Sequence, residues 1–531
     1  MVVFAMTYDP TTLPDNPEEL KKIILRLQKD QHRYEQEIDL LQERVRLLYT
    51  QLFGKKSEKG TTAAQPLPLF DMPEPEAEQE PEPEEVEVAA HTRQKSGRKK
   101  LPEDLPRIDV VHDIAEEEKV CECGAQLSRI GEDVAEKLDI IPAVIQVIRN
   151  IRPKYACKHC EGLETAGAVV KIAPPPKQII AKGIATAGLL AHILTAKFCD
   201  ALPFYRQEKQ FERLGAEIPR QTMCNWAMKA AEACQPLLTL LKEKIRSGPL
   251  INIDETPVQV LDEPGRSPTT KSYMWICRGG PAEQPGLLYH YAPSRSAAVA
   301  QALLAGYQGV VQSDGYGGYD FLDASDNIDH AGCWAHARRK FLEAQKGSGK
   351  NGKAGSADVA LSYIRKVYGI EQEGKVLELS EDKLVALRQR KTKPLLDDFF
   401  LWLNKKIGHI PPKSLLGIAV NYTLNQWHRL LVFLDHGAMT PDNNLAENAI
   451  RPFVVGRKNW LFAGTPEGAE ASAALYSLIE TAKANSLEPY RYLRYIFEKL
   501  PFAETEKDFS KLLPMNLKAA DLVIGQVATG V

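Results

Sequence analysis

Along the first fifty residues apolar side chains return every seven positions: Leu20, Leu27, Leu41 and Leu48 share one core position, and Ile24, Ile38, Val45 and Leu52 the other. A heptad repeat of this kind turns one helical face into a continuous seam. Residues 17–53 are therefore expected to form a coiled coil of about four heptads, a leucine zipper that joins copies of the chain into a homo-oligomer. Tyr34 and Gln31 interrupt the seam, and a polar Gln31 in it fixes register at some loss of stability. The same pattern also fits an amphipathic helix packed on its own chain.

Periodicity is then lost. Residues 54–108 pass through an acidic, Pro-rich run from Met72 to Glu87 and end in the basic stretch Arg93 to Lys100. Such a segment has too little apolar area to fold and reads as a disordered linker. Its basic end is suited either to a phosphate backbone or simply to solvent.

Residues 109–175 carry short β-rich stretches, such as 143–149 and 154–157, between two cysteine pairs. Cys121-Glu-Cys123 and Cys157-Lys-His-Cys160 offer four thiolates about 36 residues apart, suited to a structural Zn²⁺ in a small β module. The first pair has one spacer residue fewer than the second, and His159 is a spare ligand. Buried free cysteines are the plain alternative.

Helical spacing returns over 176–247, with Leu189, Leu190, Ile193 and Leu194 on one helix and a later helix pair turning near Leu214-Gly215. That is a helix-turn-helix arrangement, and Arg220, Gln221, Asn225 and Lys229 are the side chains that would reach into a groove of double-stranded DNA. Helical hairpins that bind no DNA fit the pattern equally well.

Residues 248–465 are expected to form a mixed α/β domain. Strands are read at 250–260, where Asn252 and Asp254 share a face, at 271–277 and at 287–291; a helix follows near 295–305, then a strand at 309–314 ending in an Asp-Gly turn. Three hairpin-linked strands, a helix and a fourth strand is the chain order of a ribonuclease H-like sheet, in which carboxylates on the first and fourth strands come to lie side by side, the places of Asp254 and Asp314. Two such carboxylates repel unless cations bridge them, and hard oxygen ligands favour Mg²⁺ or Mn²⁺. A third carboxylate, Glu447, sits near the start of a helix that Asp442 or Asn443 would cap, with Arg451 one turn further. The long helical stretch between, about 347–440, reads as an insertion. Residues 330–340, which include Cys333, Trp334, His336 and Arg339, have the composition of a second metal site but read better as a strand running into a basic helix. His336 and Arg339 there, and Arg451, Arg457 and Lys458, are DNA-contact candidates. Residues 466–531 offer a C-terminal helical region.

At 531 residues the chain exceeds one core, and 44% apolar residues is ordinary for a soluble protein. The net charge of -3 hides a separation of acids into the linker and bases elsewhere. No run of 18 apolar residues occurs, and Met1 to Met6 is too short and lacks the basic residues of a signal peptide, so a cytoplasmic protein without membrane contact is expected. Nine scattered or tightly paired cysteines suit a reducing compartment.

The chain resembles the transposases of the insertion-sequence-66 family. The matching stretches include Gly131-Glu-Asp-Val-Ala-Glu-Lys-Leu-Asp, Arg152-Pro-Lys-Tyr-Ala-Cys, Ile253-Asp-Glu-Thr-Pro, Ser313-Asp-Gly-Tyr, Gly332-Cys-Trp-Ala-His-Ala-Arg-Arg-Lys-Phe and Asn443-Asn-Leu-Ala-Glu-Asn-Ala-Ile-Arg-Pro. The resemblance implies an Asp-Asp-Glu enzyme that cuts and joins the terminal inverted repeats of an element to target DNA, with Asp254, Asp314 and Glu447 as its triad. It also implies a leucine zipper, a zinc-binding domain and two small accessory proteins of the same element. A ribonuclease H-like nuclease or resolvase that cleaves without joining, and a DNA-binding regulator with no catalysis, are the competing expectations.

Overall fold

The computed structural model describes residues 16–53, 145–156, 170–346 and 355–522. The acidic linker and all four cysteines of the expected zinc module lie outside these residues.

Helix α1 (Pro17–Phe53) is continuous over the predicted zipper, with Glu18 and Glu19 complementing its N-terminal dipole. Ile24, Leu27, Ile38, Leu41 and Val45, all seam positions, are exposed. Further on, the expected strand over 143–149 is not seen: residues 145–150 form no ladder, and Ile145, Val147 and Ile148 face solvent. Composition favours a strand there, but β-propensity is realised only against a pairing partner, and among the described residues none is adjacent. The expected strand at 154–157 does form: β1 (Lys154–Ala156) pairs antiparallel with β2 (Val170–Ile172).

Four helices follow: α2 (Ala187–Phe198), α3 (Phe204–Arg213), α4 (Arg220–Ala233) and α5 (Gln235–Arg246). Thr186 caps α2 by accepting the Leu189 N–H at 3.1 Å, and Gly215, with φ of +81°, makes the turn between α3 and α4.

A mixed five-stranded sheet is built from β3 (Leu250–Gln259), β4 (Lys271–Gly279), β5 (Gly286–Ala292), β6 (Gly309–Gln312) and β7 (Ile328–Ala331), in the order β5-β4-β3-β6-β7. The three hairpin-linked strands are antiparallel; β6 joins β3, and β7 joins β6, in parallel. The parallel step from β5 is reached through α6 (Ala297–Leu304). After β7 come α7 (Trp334–Lys346), then α8 (Ser356–Val376), α9 (Glu381–Leu387), α10 (Lys393–Ile407), α11 (Leu415–Asn425) and α12 (Trp427–Leu431), which make up the predicted helical stretch. The chain closes with α13 (Asn444–Trp460), α14 (Pro466–Ala484), α15 (Pro489–Lys499) and α16 (Glu506–Lys511).

Two hydrophobic cores flank the sheet among the described residues. One gathers α2–α5, most of the sheet and α13–α15; the other gathers α7, α8, α10, α11 and the rim residues Leu250, Val310 and Ala331. The helix-turn-helix segment and the C-terminal helices, read from sequence as separate regions, thus share one core with the sheet. The edge strand β5 shows why: Leu287 and Tyr289 donate their N–H groups to Thr481 Oγ1 at 3.0 Å and Ser477 Oγ at 2.7 Å on α14. Side-chain hydroxyls of a helix take the place of a sixth strand and close the edge.

Arg388, fully buried in the helical stretch, fixes the approach to α13. Its guanidinium forks onto Glu371 at 2.8 and 2.6 Å and donates to the carbonyls of Phe433, His436 and Met439 at 2.7, 2.9 and 2.9 Å. A buried charge is tolerated when every donor is used in this way.

Candidate active site

The parallel register of β3 and β6 pairs Asn252 with Gln312. Continued by two residues on each strand, it sets Asp254 beside Asp314, on the same edge of the sheet, because side chains alternate with period two. Asp314 leaves β6 in an Asx-turn, its Oδ1 accepting the Tyr316 N–H at 2.9 Å. Gly315 is required there by close packing: a Cβ on it would lie 2.7 Å from the Tyr422 ring of α11. The residue before Asp314 is held as well. Ser313 Oγ meets His330 Nε2 at 2.8 Å, and His330 Nδ1 meets Asp323 Oδ1 at 2.7 Å. Burial first, then Arg429, holds His330 down at about 4; burial opposes ionisation of Asp323, but hydrogen bonds from Arg429 and His330 win and bring it to about 2.

Glu447 occupies the first turn of α13, and three buried amides anchor that turn. Asn443 makes no capping bond with its side chain. Its Nδ2 donates to the Ile253 carbonyl at 3.0 Å, and its Oδ1 accepts from Asn252 Nδ2 at 3.0 Å. Asn252 also donates to Gln312 Oε1 at 2.8 Å, and Gln312 donates to the Gly332 and Thr440 carbonyls at 3.2 and 3.0 Å. Asp442 accepts the Asn444 N–H at 3.2 Å, so of the two expected caps it is Asp442 that covers the helix start. The amide chain ties β3, β6 and the start of α13 together and brings Glu447 near Asp254.

The electrostatics follow from this convergence. Burial, then the neighbouring charges of Glu255, Asp314 and Glu447, push the Asp254 carboxyl up to about 7. Burial also raises Glu255, although Tyr319 Oη donates to it and Arg295 pairs with it. Arg295 lies 3.7 Å from Asp314 Oδ2 and stacks 3.6 Å over the Tyr316 ring. Carboxylates crowded in this way, only partly countered by Arg295 and Arg339, have the chemistry of a site that could hold a hard divalent cation.

Glu447 has two further neighbours on α7. Arg339 Nη2 donates to its Oε2 at 3.2 Å, and His336 Nδ1 stands 3.6 Å from its Oε1. Both residues, DNA-contact candidates in the sequence, lie beside the glutamate. Arg451 and Lys458 are exposed on α13, whereas Arg457 is half-buried and donates to Thr256 Oγ1 on β3 at 3.2 Å. On α4, Arg220, Gln221, Asn225 and Lys229 all face solvent, with Gln221 bonded to Asn225 at 3.2 Å, while Met223, Trp226, Ala227 and Ala230 fill the core. Sequence reasoning missed Glu255, Arg295, Tyr319 and the Asn252–Gln312–Asn443 chain. Only Glu255 had a visible signal, its place next to Asp254.

The chain matches the family described as Transposase IS66 family over residues 182–471, more than half its length. Flanking segments match its companions: the zinc-finger binding domain of transposase IS66 over 118–161, a leucine-zipper segment described as Transposase C of IS166 homeodomain over 40–110, and the IS66 C-terminal element over 477–515. Transposases are enzymes that act on DNA. The chain belongs to the IS66 transposase family, and it carries that family's zinc-finger and leucine-zipper segments. Relatives in Sinorhizobium fredii include Uncharacterized protein y4jD, 37% identical over 442 residues, covering 81% of this chain and 83% of the relative. Uncharacterized protein y4qI is 32% identical over 434 residues, covering 79% and 77%. Among the described residues no helix is long and apolar enough to cross a membrane.

Proposed function

We propose that the protein is the transposase of an insertion sequence, which binds terminal inverted repeats, cleaves at the element's ends and transfers the freed strands to target DNA, with Asp254, Asp314 and Glu447 as the catalytic carboxylates. The single observation that carries this reading is the β3–β6 register together with the Asn443 amide chain, which bring Asp254, Asp314 and Glu447 near enough for their charges to act on one another. The sheet order, with three antiparallel strands followed by two parallel ones, supports a ribonuclease H-like core.

Mg²⁺ or Mn²⁺ ions, when bound, would activate the attacking water or 3′-hydroxyl and stabilise the leaving oxygen of an in-line displacement. The chain's own residues do the rest. Asp254 and Asp314 present oxygens from a rigid sheet; the Asn443 amide chain holds α13 so that Glu447 completes the set; and Arg339 orients the glutamate from its far side. The exposed face of α4, with Arg220, Gln221, Asn225 and Lys229, reads the repeats, while Arg451, Arg457 and Lys458 follow the phosphate backbone. Cys121, Cys123, Cys157 and Cys160 hold a structural Zn²⁺. Helix α1 assembles the homo-oligomer, two small accessory proteins of the element assist, and the site of action is the nucleoid.

The test is a plasmid-to-plasmid transposition assay with the gene's flanking DNA as donor, comparing wild type with Asp254→Ala, Asp314→Ala and Glu447→Ala. Recombinant joints from wild type alone are expected. Nicks without joints would point to a nuclease, and joints from all four proteins would remove the catalytic assignment.

A further inference from the structure

Cys333, His336 and Glu447 bring a sulfur, an imidazole nitrogen and a carboxylate oxygen to within 4.8 Å of one another. The loop after β7 supplies the first, the opening turn of α7 the second and the opening turn of α13 the third. One atom of each of two of these groups lacks a hydrogen-bond partner. His336 Nδ1 and Glu447 Oε1 are buried, make no hydrogen bond and face each other across 3.6 Å. Buried polar atoms are as a rule satisfied, so this pair asks for a third party between them. Arg339 holds Glu447 Oε2 at 3.2 Å, while Oε1 faces the imidazole. The sulfur is oriented too: the Asn443 N–H donates to Cys333 Sγ at 3.2 Å, the kind of outer bond that steadies a metal-bound thiolate.

We infer that Cys333, His336 and Glu447 form a binding site for one thiophilic divalent ion of the zinc class, with water in the fourth position. The donor set decides the class. Sulfur and imidazole favour Zn²⁺ or Co²⁺ over Mg²⁺, whereas the Asp254–Asp314 pair is all oxygen. In a tetrahedral zinc site with bonds of about 2.0 to 2.3 Å the ligand atoms sit roughly 3.3 to 3.6 Å apart. The imidazole–carboxylate pair meets that spacing as it stands, and the outer limit of the triangle closes with a side-chain shift of about 1 Å. The site is separate from the zinc-finger cysteines, which belong to the segment over 118–161. It also stands whether or not Glu447 is catalytic.

The full-length protein would be saturated with Zn²⁺, desalted and its metal content measured, beside Cys333→Ser, His336→Gln and Asp254→Ala. Wild type and Asp254→Ala are expected to hold one equivalent more than Cys333→Ser and His336→Gln, whose unfolding temperatures serve as the folding control. In a parallel Co²⁺ titration of the metal-free proteins, Cys333→Ser should lose part of the thiolate-to-metal charge-transfer absorption that wild type shows. Equal metal content in all four proteins, with no band attributable to Cys333, would mean that His336 and Glu447 merely close into a hydrogen bond, and the inference would fall. Because Asp254→Ala keeps this equivalent, retained strand transfer by that variant would sink the catalytic reading and leave the zinc site untouched.

Discussion

The side chain on which the position of Glu447 depends most is a neutral amide, and its removal makes a quantitative test. Asn443 is buried and joins α13 to β3 through a bond given to the Ile253 carbonyl and one accepted from Asn252 Nδ2, each of 3.0 Å. Asn443→Ala deletes both. Asn252 keeps its bond to Gln312, but the Ile253 carbonyl loses its side-chain donor, and Asn252 Oδ1 already lacks a partner. A buried hydrogen bond contributes about 1 kcal/mol net, and each orphaned group costs about 1 to 3 kcal/mol, so the expected loss is roughly 2 to 4 kcal/mol. With about 2.1 cal/mol/K of unfolding entropy per residue, a folded unit of roughly 350 residues answers with a fall in Tm of about 3 to 6 °C. Asn443→Asp should be worse than its near-identical shape suggests, because a carboxylate cannot donate to the carbonyl and would place a further charge against β3. Scanning fluorimetry of the three proteins without divalent ions reads the stability, and a Mg²⁺ titration of strand transfer reads the placement of Glu447, with the half-saturating concentration expected to rise in both variants. A fall in Tm under 2 °C for Asn443→Ala, together with an unchanged Mg²⁺ requirement, would refute the claim that this amide positions the helix.

Other expectations follow from the same geometry. Without divalent ions, Asp254 titrates near 7 in the folded chain against 3.8 when free, so the stability tied to its bound proton is full below the lower value and lost as pH rises through the upper one. Asp254→Asn should therefore raise Tm in EDTA at about pH 8, with the gain shrinking toward about pH 5, while Mg²⁺ should raise Tm of the wild type alone; equal Tm values at about pH 8 would contradict the crowding argument. Deleting residues 1–53 should lower the mass measured by light scattering, and an unchanged mass would remove α1 as the oligomerisation element. Arg220→Ala and Lys229→Ala should each weaken binding to the terminal repeats and, if the side chain meets a phosphate, reduce the salt slope by about 0.9; unaltered binding in both would place the DNA on another face.

What the sequence disclosed, and what it hid, divides along the range of the interactions. Strands β3 to β6 were legible because their alternation and their turns are local, and Asp254 and Asp314 were legible because one lies within a readable strand and the other just after one. The edge closure by Ser477 and Thr481 was not, since two hydroxyls on a mostly apolar helix carry no periodic mark and meet β5 only across nearly two hundred residues. That distance is why the C-terminal helices read as a separate region. The same limit explains Asn443. From its neighbours it is an ordinary capping residue, and a cap would have satisfied every local rule. In the folded chain its donors and acceptors match the backbone and amide of β3, so Asp442 takes over the helix start and Asn443 is released to fix the helix to the sheet. Arg339 and His336 follow the same logic: a basic helix suggests phosphate when read alone, but α7 brings these two side chains to a carboxylate that lies more than a hundred residues further along the chain. The residues that position this site are thus the ones whose partners are remote, and a pattern read in a short window assigns them to caps and to DNA.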